Sequence, residues 1–266
     1  MPEAVTLAQV AVEKWSDACM RSFLDNVAEE VPVALEYNGI SHAVMLATPS
    51  DLEDFALGFS LTEGILLSPD ELYSCDIVGD SNGIHIQMEI ASERMFCLKE
   101  RRRTLAGRTG CGLCGTETLA QAIRMPAQVH STASFSAEIL HAAFLQMEKM
   151  QALQQQTGAT HAAAWLASDG KVTLIREDIG RHNALDKLIG ALHRQHIDIA
   201  SGAAIVTSRA SYEMVQKTTS AGIGMLAAVS APTALAVRIA QMTGMTLIGF
   251  VWSRGHVVYT HPNRLT

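Results

Sequence analysis

The sequence predicts an α/β protein with a smaller α+β N-terminal domain over residues 1–130 and a three-layer α/β/α domain over residues 137–266. The 266 residues, 48% hydrophobic and 18% charged, are enough for two modest cores. An Asn38-Gly39 turn between alternating apolar residues indicates a β-hairpin in the first half. Continuous apolar runs in the second half are typical of strands covered on both faces, and they lie at residues 203–206, 225–229 and 246–251.

The N-terminal domain begins with this hairpin, which the sequence predicts over residues 31–46. A capping box of Ser50 and Glu53 then predicts the start of a helix that ends near Gly64. Two more strands are predicted at residues 74–78 and 84–90.

The C-terminal domain follows a candidate linker at residues 131–136, which is poor in large apolar side chains. Apolar spacing predicts helices over residues 142–155, from Arg181, and over residues 212–221 and 233–242. Besides the three apolar runs, strands are predicted at residues 161–167, 172–176 and 256–259. In a sheet of this kind, ligands bind at the carboxyl ends of strands and at helix N-termini.

Composition and charge exclude several classes of protein. A net charge of −7 argues against general nucleic-acid binding. The N-terminus lacks a basic segment followed by a long apolar run, and no later run reaches membrane-spanning length, so we expect a cytoplasmic protein without a membrane anchor. Five cysteines at irregular spacing indicate reduced thiols and not a disulfide framework.

Two cysteines form the most informative motif. Cys111 and Cys114 lie one helical turn apart between glycines, which leave little side-chain cover and a permissive backbone. They follow residues 99–110, whose five basic side chains and few large apolar ones predict a mobile loop. The pair therefore predicts exposed thiolate chemistry with Cys111 and Cys114 as the catalytic residues.

Two other interpretations of this pair remain to be weighed. A structural zinc site needs four ligands, and the other cysteines form no second CxxC, so we expect no bound metal. A thioredoxin-type redox pair is the stronger alternative, although such a pair normally follows an early strand of a small βαβ domain. Here the pair follows a charged stretch, which fits a reactive loop better.

Polar motifs also follow two predicted strands. In residues 176–187, Gly180 allows backbone N–H groups to approach an anion, and His182 and Asp186 lie four residues apart, where they can hydrogen-bond to each other. In residues 207–213, Arg209 follows the next strand. Two such turns with arginine and small hydroxyl side chains indicate phosphate recognition, although a histidine satisfied by a neighbouring carboxylate is an equally good interpretation of the first.

Known nucleotide and deaminase signatures are missing from the sequence. It contains neither GxGxxG nor GxxxxGK[ST], so a Rossmann site and a P-loop are not supported. The layered order of the C-terminal half is similar to that of zinc cytidine deaminases, but no HxE is present and glycine precedes the CxxC. Deaminase activity is therefore excluded.

Several motifs together resemble the FdhD (NarQ) family of formate dehydrogenase accessory sulfurtransferases. The matching segments are 56–64 (ALGFSLTEG), 108–115 (RTGCGLCG), 177–187 (EDIGRHNALDK) and 230–237 (SAPTALAV), and the resemblance extends from about residue 29 to the C-terminus. It implies a cytidine-deaminase-like C-terminal domain without zinc, a homodimer and a sulfur-carrier role. A cysteine desulfurase would load a persulfide, and the sulfur would pass to the molybdenum bis(guanine dinucleotide) cofactor before that cofactor enters formate dehydrogenase.

The resemblance also assigns residues. It implies that Cys111 carries the persulfide and Cys114 assists, and that the guanine nucleotide part of the cofactor contacts a segment near the last sheet turn. That segment is Phe250, Val251, Trp252, Ser253, Arg254 and Gly255. Arg181, His182 and Arg209 would help to hold the nucleotide. The alternatives are a CxxC thiol-disulfide oxidoreductase and a non-catalytic chaperone that binds the molybdenum cofactor.

Two departures from the family pattern affect the expected nucleotide site. Ser208 stands where the family usually has a glycine before the arginine, here Arg209. A side chain at this position affects how closely a ligand can approach the backbone. The segment 252–256 is less basic than expected, so Arg254 carries its charge alone. Both departures are expected to change cofactor affinity and not the function.

Overall fold

The computed structural model describes residues 5–16, 18–106 and 126–266, without the side chains of residues 101–106. It confirms a mixed α/β protein. The strands are β1 (Leu7–Ser16), β2 (Cys19–Ala28), β3 (Val31–Tyr37), β4 (Ile40–Ala47), β5 (Leu72–Asp80), β6 (Gly83–Ile90), β7 (His161–Leu166), β8 (Val172–Asp178), β9 (Ala203–Val206), β10 (Met225–Ala228), β11 (Thr246–Trp252) and β12 (Gly255–Thr260). The helices are α1 (Leu52–Thr62), α2 (Ser92–Ala106), α3 (Ala137–Met150), α4 (Ala152–Thr157), α5 (Arg181–Arg194), α6 (Tyr212–Ser220) and α7 (Ala234–Thr243).

A six-stranded mixed sheet forms the C-terminal half, with the strand order β12-β11-β10-β9-β7-β8. Strands β9, β10 and β11 are parallel, whereas β7 and β12 run antiparallel to their neighbours. Apolar side chains of α5, α6 and α7 pack on one face, and those of α3 pack on the other. The three apolar runs are therefore strands buried on both faces, as predicted.

A four-stranded sheet forms the N-terminal half, in the order β4-β3-β6-β5. The predicted hairpin is confirmed, and Asn38 and Gly39 both have positive φ, which a two-residue turn of this kind requires. Helices α1 and α2 cover one face of the sheet, on which Phe55 and Met95 are buried. The strands predicted at 74–78 and 84–90 are also present, as β5 and β6.

Strands β1 and β2 form a separate two-stranded sheet that the sequence analysis did not predict. Nearly all of its side chains are exposed on both faces. A segment without a buried face lacks the alternation of apolar and polar residues by which strands are recognised.

Three local predictions were wrong. The capping box of Ser50 and Glu53 does not form: Asp51, with a positive φ, occupies the cap of α1, and Glu53 pairs with Arg194 instead. The helix predicted over 142–155 is two helices, α3 and α4, which meet at Gln151, and α3 is capped by Ser136.

The third correction concerns residues 99–110, which were predicted to be a mobile loop. Helix α2 continues through Ala106, because Met95 and Leu98 anchor it to the core and because long charged residues are good helix formers. Residues 107–110 lie outside the described part of the chain.

The two halves meet where α1 packs against α5. A Cβ atom on Gly58 would lie 1.7 Å from the backbone oxygen of Asp186, and one on Gly190 would lie 1.9 Å from that of Asp54. The two helix backbones therefore touch without side chains between them. A set of buried charges, described below, surrounds this contact and closes the seam between the halves.

Candidate functional site

One edge of the six-stranded sheet collects the polar features of the C-terminal half. Strands β8 to β11 end there, β7 begins there, and α5, α6 and α7 all start there. The predicted nucleotide residues Arg181, His182 and Arg209 follow two of these strand ends. This is the edge at which sheets of this type bind ligands, because helix N–H groups and strand ends point to the same place.

A cavity of about 720 Å³ opens at this edge, between the strand ends and helices α3 and α4. Thr207, Val229 and Val251 line it from the ends of three parallel strands. Its other lining residues are His141, Phe144, Leu145, Met147, Glu148, Gln151, Gln154, Gly158, Ala159, Thr160, His161, Trp252 and Ser253. None of these described lining residues is a lysine or an arginine, so the cavity itself has no permanent positive charge.

The turn between β11 and β12 brings the predicted cofactor segment to the cavity. Val251, Trp252 and Ser253 line it directly, Arg254 lies in the turn, and Phe250 and Gly255 lie in the strands on either side. Phe250 adopts a positive φ of 52° within a β-bulge, which turns the following residues toward the cavity mouth. The Trp252 side chain is 59% exposed and so offers an uncovered aromatic ring.

Three histidines that the sequence analysis did not single out lie at this site. His141 Nε2 and His256 Nδ1 are 3.0 Å apart and share one hydrogen bond, which ties α3 to the start of β12. Burial and the nearby His141 lower the pKa of His256, and burial and Arg181 lower the pKa of His161. No sequence spacing could have found the pair, because 115 positions separate its members.

The N-termini of α5 and α6 carry side-chain atoms without a hydrogen-bond partner. Among the described residues, Arg181 Nε and the hydroxyl of Ser211 are buried and unpaired. His182 Nε2 lies 2.8 Å from a carboxylate oxygen of Glu213, while burial lowers the pKa of His182. Arg209 is exposed on the turn between β9 and α6. Unpaired donors of this kind suit an incoming anion.

The predicted hydrogen bond between His182 and Asp186 is absent. Asp186 is buried and instead accepts hydrogen bonds from Thr62 and Lys217, at 2.7 Å and 2.9 Å. On α5, Asp186 is buried in the seam, whereas His182 lies in the first turn of the helix at the sheet edge. The two side chains therefore do not meet. A carboxylate does lie beside His182, but it belongs to Glu213 and not to Asp186.

Most of the motif at residues 176–187 holds the two halves together. Asp178 and Lys187 form an ion pair at 2.7 Å with both side chains fully buried. Asp178 also accepts a hydrogen bond from Thr48 N, and the Lys187 ammonium donates one to Thr48 O. Arg176 pairs with Asp54 of α1 at 2.7 Å. The polar residues of this motif are thus structural, with the exception of the first turn of α5.

The predicted catalytic pair, Cys111 and Cys114, lies outside the described residues. The three described cysteines are free thiols, of which Cys19 and Cys97 are exposed. Burial raises the pKa of Cys75 to about 11, so this thiol stays protonated and unreactive near neutral pH.

No helix among the described residues is long and apolar enough to cross a membrane. Within the same ranges, no three His, Cys, Asp or Glu side chains are grouped so that they could hold a metal ion.

Comparison with known proteins decides the family. The sequence model of the FdhD/NarQ family matches residues 28–266. The chain belongs to the FdhD/NarQ family. Within it, the chain is 62% identical over 263 residues to the sulfur carrier protein FdhD of Cupriavidus necator, covering 99% of this chain and 91% of that protein. It is 58% identical over 241 residues to the protein of the same name from Bordetella petrii, covering 91% and 87% of the two chains.

A solved structure supports the fold of this family member. It is a crystal structure from Desulfotalea psychrophila, described as a candidate formate dehydrogenase accessory protein, with a TM-score of 0.77 and 20% identity. The match covers 98% of this chain and 100% of that one. At this identity the likeness concerns the architecture alone.

Proposed function

We propose that this protein is a sulfur carrier that takes persulfide sulfur from a cysteine desulfurase and passes it to the molybdenum bis(guanine dinucleotide) cofactor needed by formate dehydrogenase. The observation that carries the proposal is the 62% identity, over nearly the whole chain, to a protein named sulfur carrier protein FdhD. We further propose that it acts as a homodimer in the cytoplasm and that its C-terminal half corresponds to the cytidine-deaminase-like domain of the family.

The first transfer requires an exposed thiolate. The thiolate of Cys111 attacks the outer sulfur of the desulfurase persulfide, the sulfur–sulfur bond of that persulfide breaks, and the desulfurase cysteine leaves as a thiolate. No electrons are gained or lost overall. Among the described cysteines none competes well, because Cys75 is held protonated and neither Cys19 nor Cys97 lies between glycines.

The second transfer gives the accessory thiol a role. When the Cys114 thiolate attacks the inner sulfur of the Cys111 persulfide, a Cys111–Cys114 disulfide forms and the outer sulfur leaves as sulfide. The two thiols supply the two electrons that sulfide requires. Two equivalents of a cellular thiol then reduce the disulfide and are themselves joined as a disulfide, which returns the carrier to its starting state.

The cofactor is the substrate of this step, and the sheet edge is its proposed binding site. The uncovered ring of Trp252 can stack on a guanine base, and Arg254 lies on the same turn. The unpaired Arg181 Nε, the exposed Arg209 and the first N–H groups of α5 and α6 can meet phosphate oxygens. These residues fit a guanine nucleotide, which they would bind and orient.

Intact-mass analysis after incubation with desulfurase and cysteine tests the carrier role. We expect one added sulfur, removable by reductant, on the wild type and on a Cys97→Ala control, and none on Cys111→Ala. A loss of two hydrogens on oxidation without any added sulfur would favour the thiol-disulfide oxidoreductase. If neither mass change occurs, the non-catalytic chaperone is favoured.

Nucleotide binding tests the acceptor site separately. Arg181→Ala should weaken GDP binding by about 1.5–3 kcal/mol, the value of a charge-assisted hydrogen bond, with persulfide loading unchanged. Trp252→Ala should weaken GDP binding by about 1–3 kcal/mol through lost stacking. Calorimetric titration gives the affinities, and Lys171→Ala, an exposed lysine on the turn between β7 and β8, is the control. Reduced sulfur loading with unchanged GDP affinity would contradict this assignment of roles.

A further inference from the structure

The helical side of the cavity contains a break between two helices. Gln151 ends α3 and occupies the cap of α4, with φ −76° and ψ 76°, outside the helical region. Its side chain makes no capping hydrogen bond. The carboxylate of Glu177 supplies the cap instead, because it accepts hydrogen bonds from Leu153 N and Gln154 N at 2.9 Å and 2.8 Å. The amide of Gln151 is therefore not needed to hold α4.

The Gln151 side chain brings unused hydrogen-bonding groups to the cavity. The residue is only 6% exposed and lines the cavity, yet its side-chain amide bonds to no residue that the structure describes. Buried amides are normally satisfied by the protein, by water or by a ligand. An amide offers donors and an acceptor side by side, so it matches a ligand edge on which an acceptor and a donor are adjacent.

A second polar group, the carboxylate of Glu148, lies beside Gln151. Glu148 is three residues earlier on α3, which makes the two side chains neighbours, and it lines the same cavity. Its backbone oxygen accepts from Gln155, but its carboxylate has neither an ion pair nor a hydrogen bond within the described ranges. No described lining residue is a lysine or an arginine that could offset this charge. The carboxylate therefore repels a phosphate group and attracts a ligand edge with N–H donors.

The neighbouring polar side chains have partners within the protein. Gln154 Oε1 accepts a hydrogen bond from Thr160 N at 2.8 Å, and Thr160 Oγ1 donates to Glu177 at 3.1 Å. His141 shares its hydrogen bond with His256. These contacts hold the wall of the cavity in shape, whereas the amide of Gln151 and the carboxylate of Glu148 are left for a ligand.

Apolar and aromatic side chains form much of the remaining lining, among them Phe144, Val251 and Trp252. The volume of about 720 Å³ suits a small molecule. A flat, uncharged ring fits between these side chains with its polar edge toward Gln151. Charged groups of the same molecule stay at the rim, where Arg181 Nε lacks a partner among the described residues.

We infer that Gln151 and Glu148 recognise the 2-amino-4-oxopyrimidine edge of the ligand, which guanine and pterin rings share. The Gln151 amide donates to the ring carbonyl oxygen and accepts from the ring N–H, and the Glu148 carboxylate accepts from the exocyclic amino group. An adenine ring has a C–H group in place of this amino group, so it leaves the carboxylate without a partner. The inference rests on the proposed function, in which the cofactor is the substrate, and it adds the residues that select its ring.

Calorimetric titration of the full chain with GDP and IDP tests Glu148, because IDP lacks only the exocyclic amino group. We expect the wild type to bind GDP about tenfold more tightly than IDP, the effect of one hydrogen bond to a charged group. In Glu148→Ala this ratio of affinities should fall close to one. A variant that merely disturbs the fold would weaken both ligands equally and leave the ratio unchanged.

The diphosphate of 2-aminopurine riboside tests Gln151 in the same way, because it keeps the amino group but lacks the carbonyl oxygen and the ring N–H. The wild type should bind GDP about tenfold more tightly than this analogue, and Gln151→Ala should remove most of the difference. Glu138→Ala and Gln156→Ala are matched controls on α3 and α4. Both residues are exposed and neither lines the cavity, so both ratios should stay at their wild-type values.

Pterin and 4-hydroxypteridine, which lacks the amino group, distinguish the two sources of the edge. If the pterin end of the cofactor occupies the cavity, the preference and its loss in Glu148→Ala appear with this pair and not with GDP and IDP. Wild-type ratios near one for both pairs, unchanged ratios in Glu148→Ala and Gln151→Ala, or no binding of either GDP or pterin would each overturn the inference. Persulfide loading of Cys111 is measured by mass, so the carrier role and the recognition of the ring can fail independently.

Discussion

Replacing Lys187 by Met should lower the free energy of unfolding by about 3–5 kcal/mol, the cost of removing one partner from a buried ion pair. The side chains of Lys187 and Asp178 are both 0% exposed, so water does not screen the pair. In the variant, Asp178 keeps the N–H donors of Thr48 and Gly180 and the amide of Asn183, which favours the lower end of this range. Thr48 O loses its donor, which adds about 1 kcal/mol.

Urea unfolding followed by circular dichroism and by the fluorescence of the buried Trp165 measures this change. Lys171→Met is the control, because Lys171 is exposed and its pair with Asp169 spans 3.7 Å, so little change is expected. The Asp178→Asn/Lys187→Met double variant should lose less than the sum of the single losses, since it removes both charges. A loss below about 1 kcal/mol for Lys187→Met, with weakened GDP binding, would refute the structural role and restore the interpretation of the motif as an anion site.

Two other predictions follow from the site and the seam. GDP affinity should rise as the pH falls from 8 to 6, because the pKa values of His256 and His161 are held low in the free protein and an anionic ligand favours their protonation. His256→Asn should reduce the dependence of GDP affinity on pH. A GDP affinity that does not change with pH in calorimetry would contradict this prediction. Gly58→Ala should destabilise the protein by about 3 kcal/mol in urea unfolding, because its methyl group meets backbone of α5, whereas Gly79→Ala, with open space around it, should not.

The regular elements could be predicted because their burial leaves a pattern in the sequence. Strands β9, β10 and β11 are read from apolar runs that only a doubly covered sheet explains, and the Asn38-Gly39 turn fixed the first hairpin. The β1–β2 hairpin has no buried face, and it therefore left no such pattern. Residues 99–106 were predicted to be part of a loop because of their charge. Helix α2 is instead held to the core by Met95 and Leu98, two apolar residues that precede this charged stretch.

The site was harder to predict because local sequence does not reveal distant partners. The residue types in residues 176–187 are compatible both with an anion-binding site and with buried ion pairs in the seam. Only the fold shows which applies, because it brings Thr48 to Asp178 across 130 positions. The assignment of Phe250 to Gly255 came from family resemblance, and the cavity beside three of these residues gives it a physical setting. His141 and His256 needed the fold to meet at all.

The seam restricts how the proposed transfer can occur. A hinge between the two halves would separate α1 from α5, pull Lys217 away from Glu63, its partner at 2.8 Å, and break the 2.7 Å pair of Arg176 with Asp54. Although burial disfavours the charged ammonium, Asp186 and Glu63 raise the pKa of Lys217, so opening the seam would leave this buried charge with one carboxylate partner in place of two. The backbone contact at Gly58 also leaves no layer of side chains on which the helices could slide. The two halves therefore act as one support, and sulfur has to reach the sheet edge without a rotation between them.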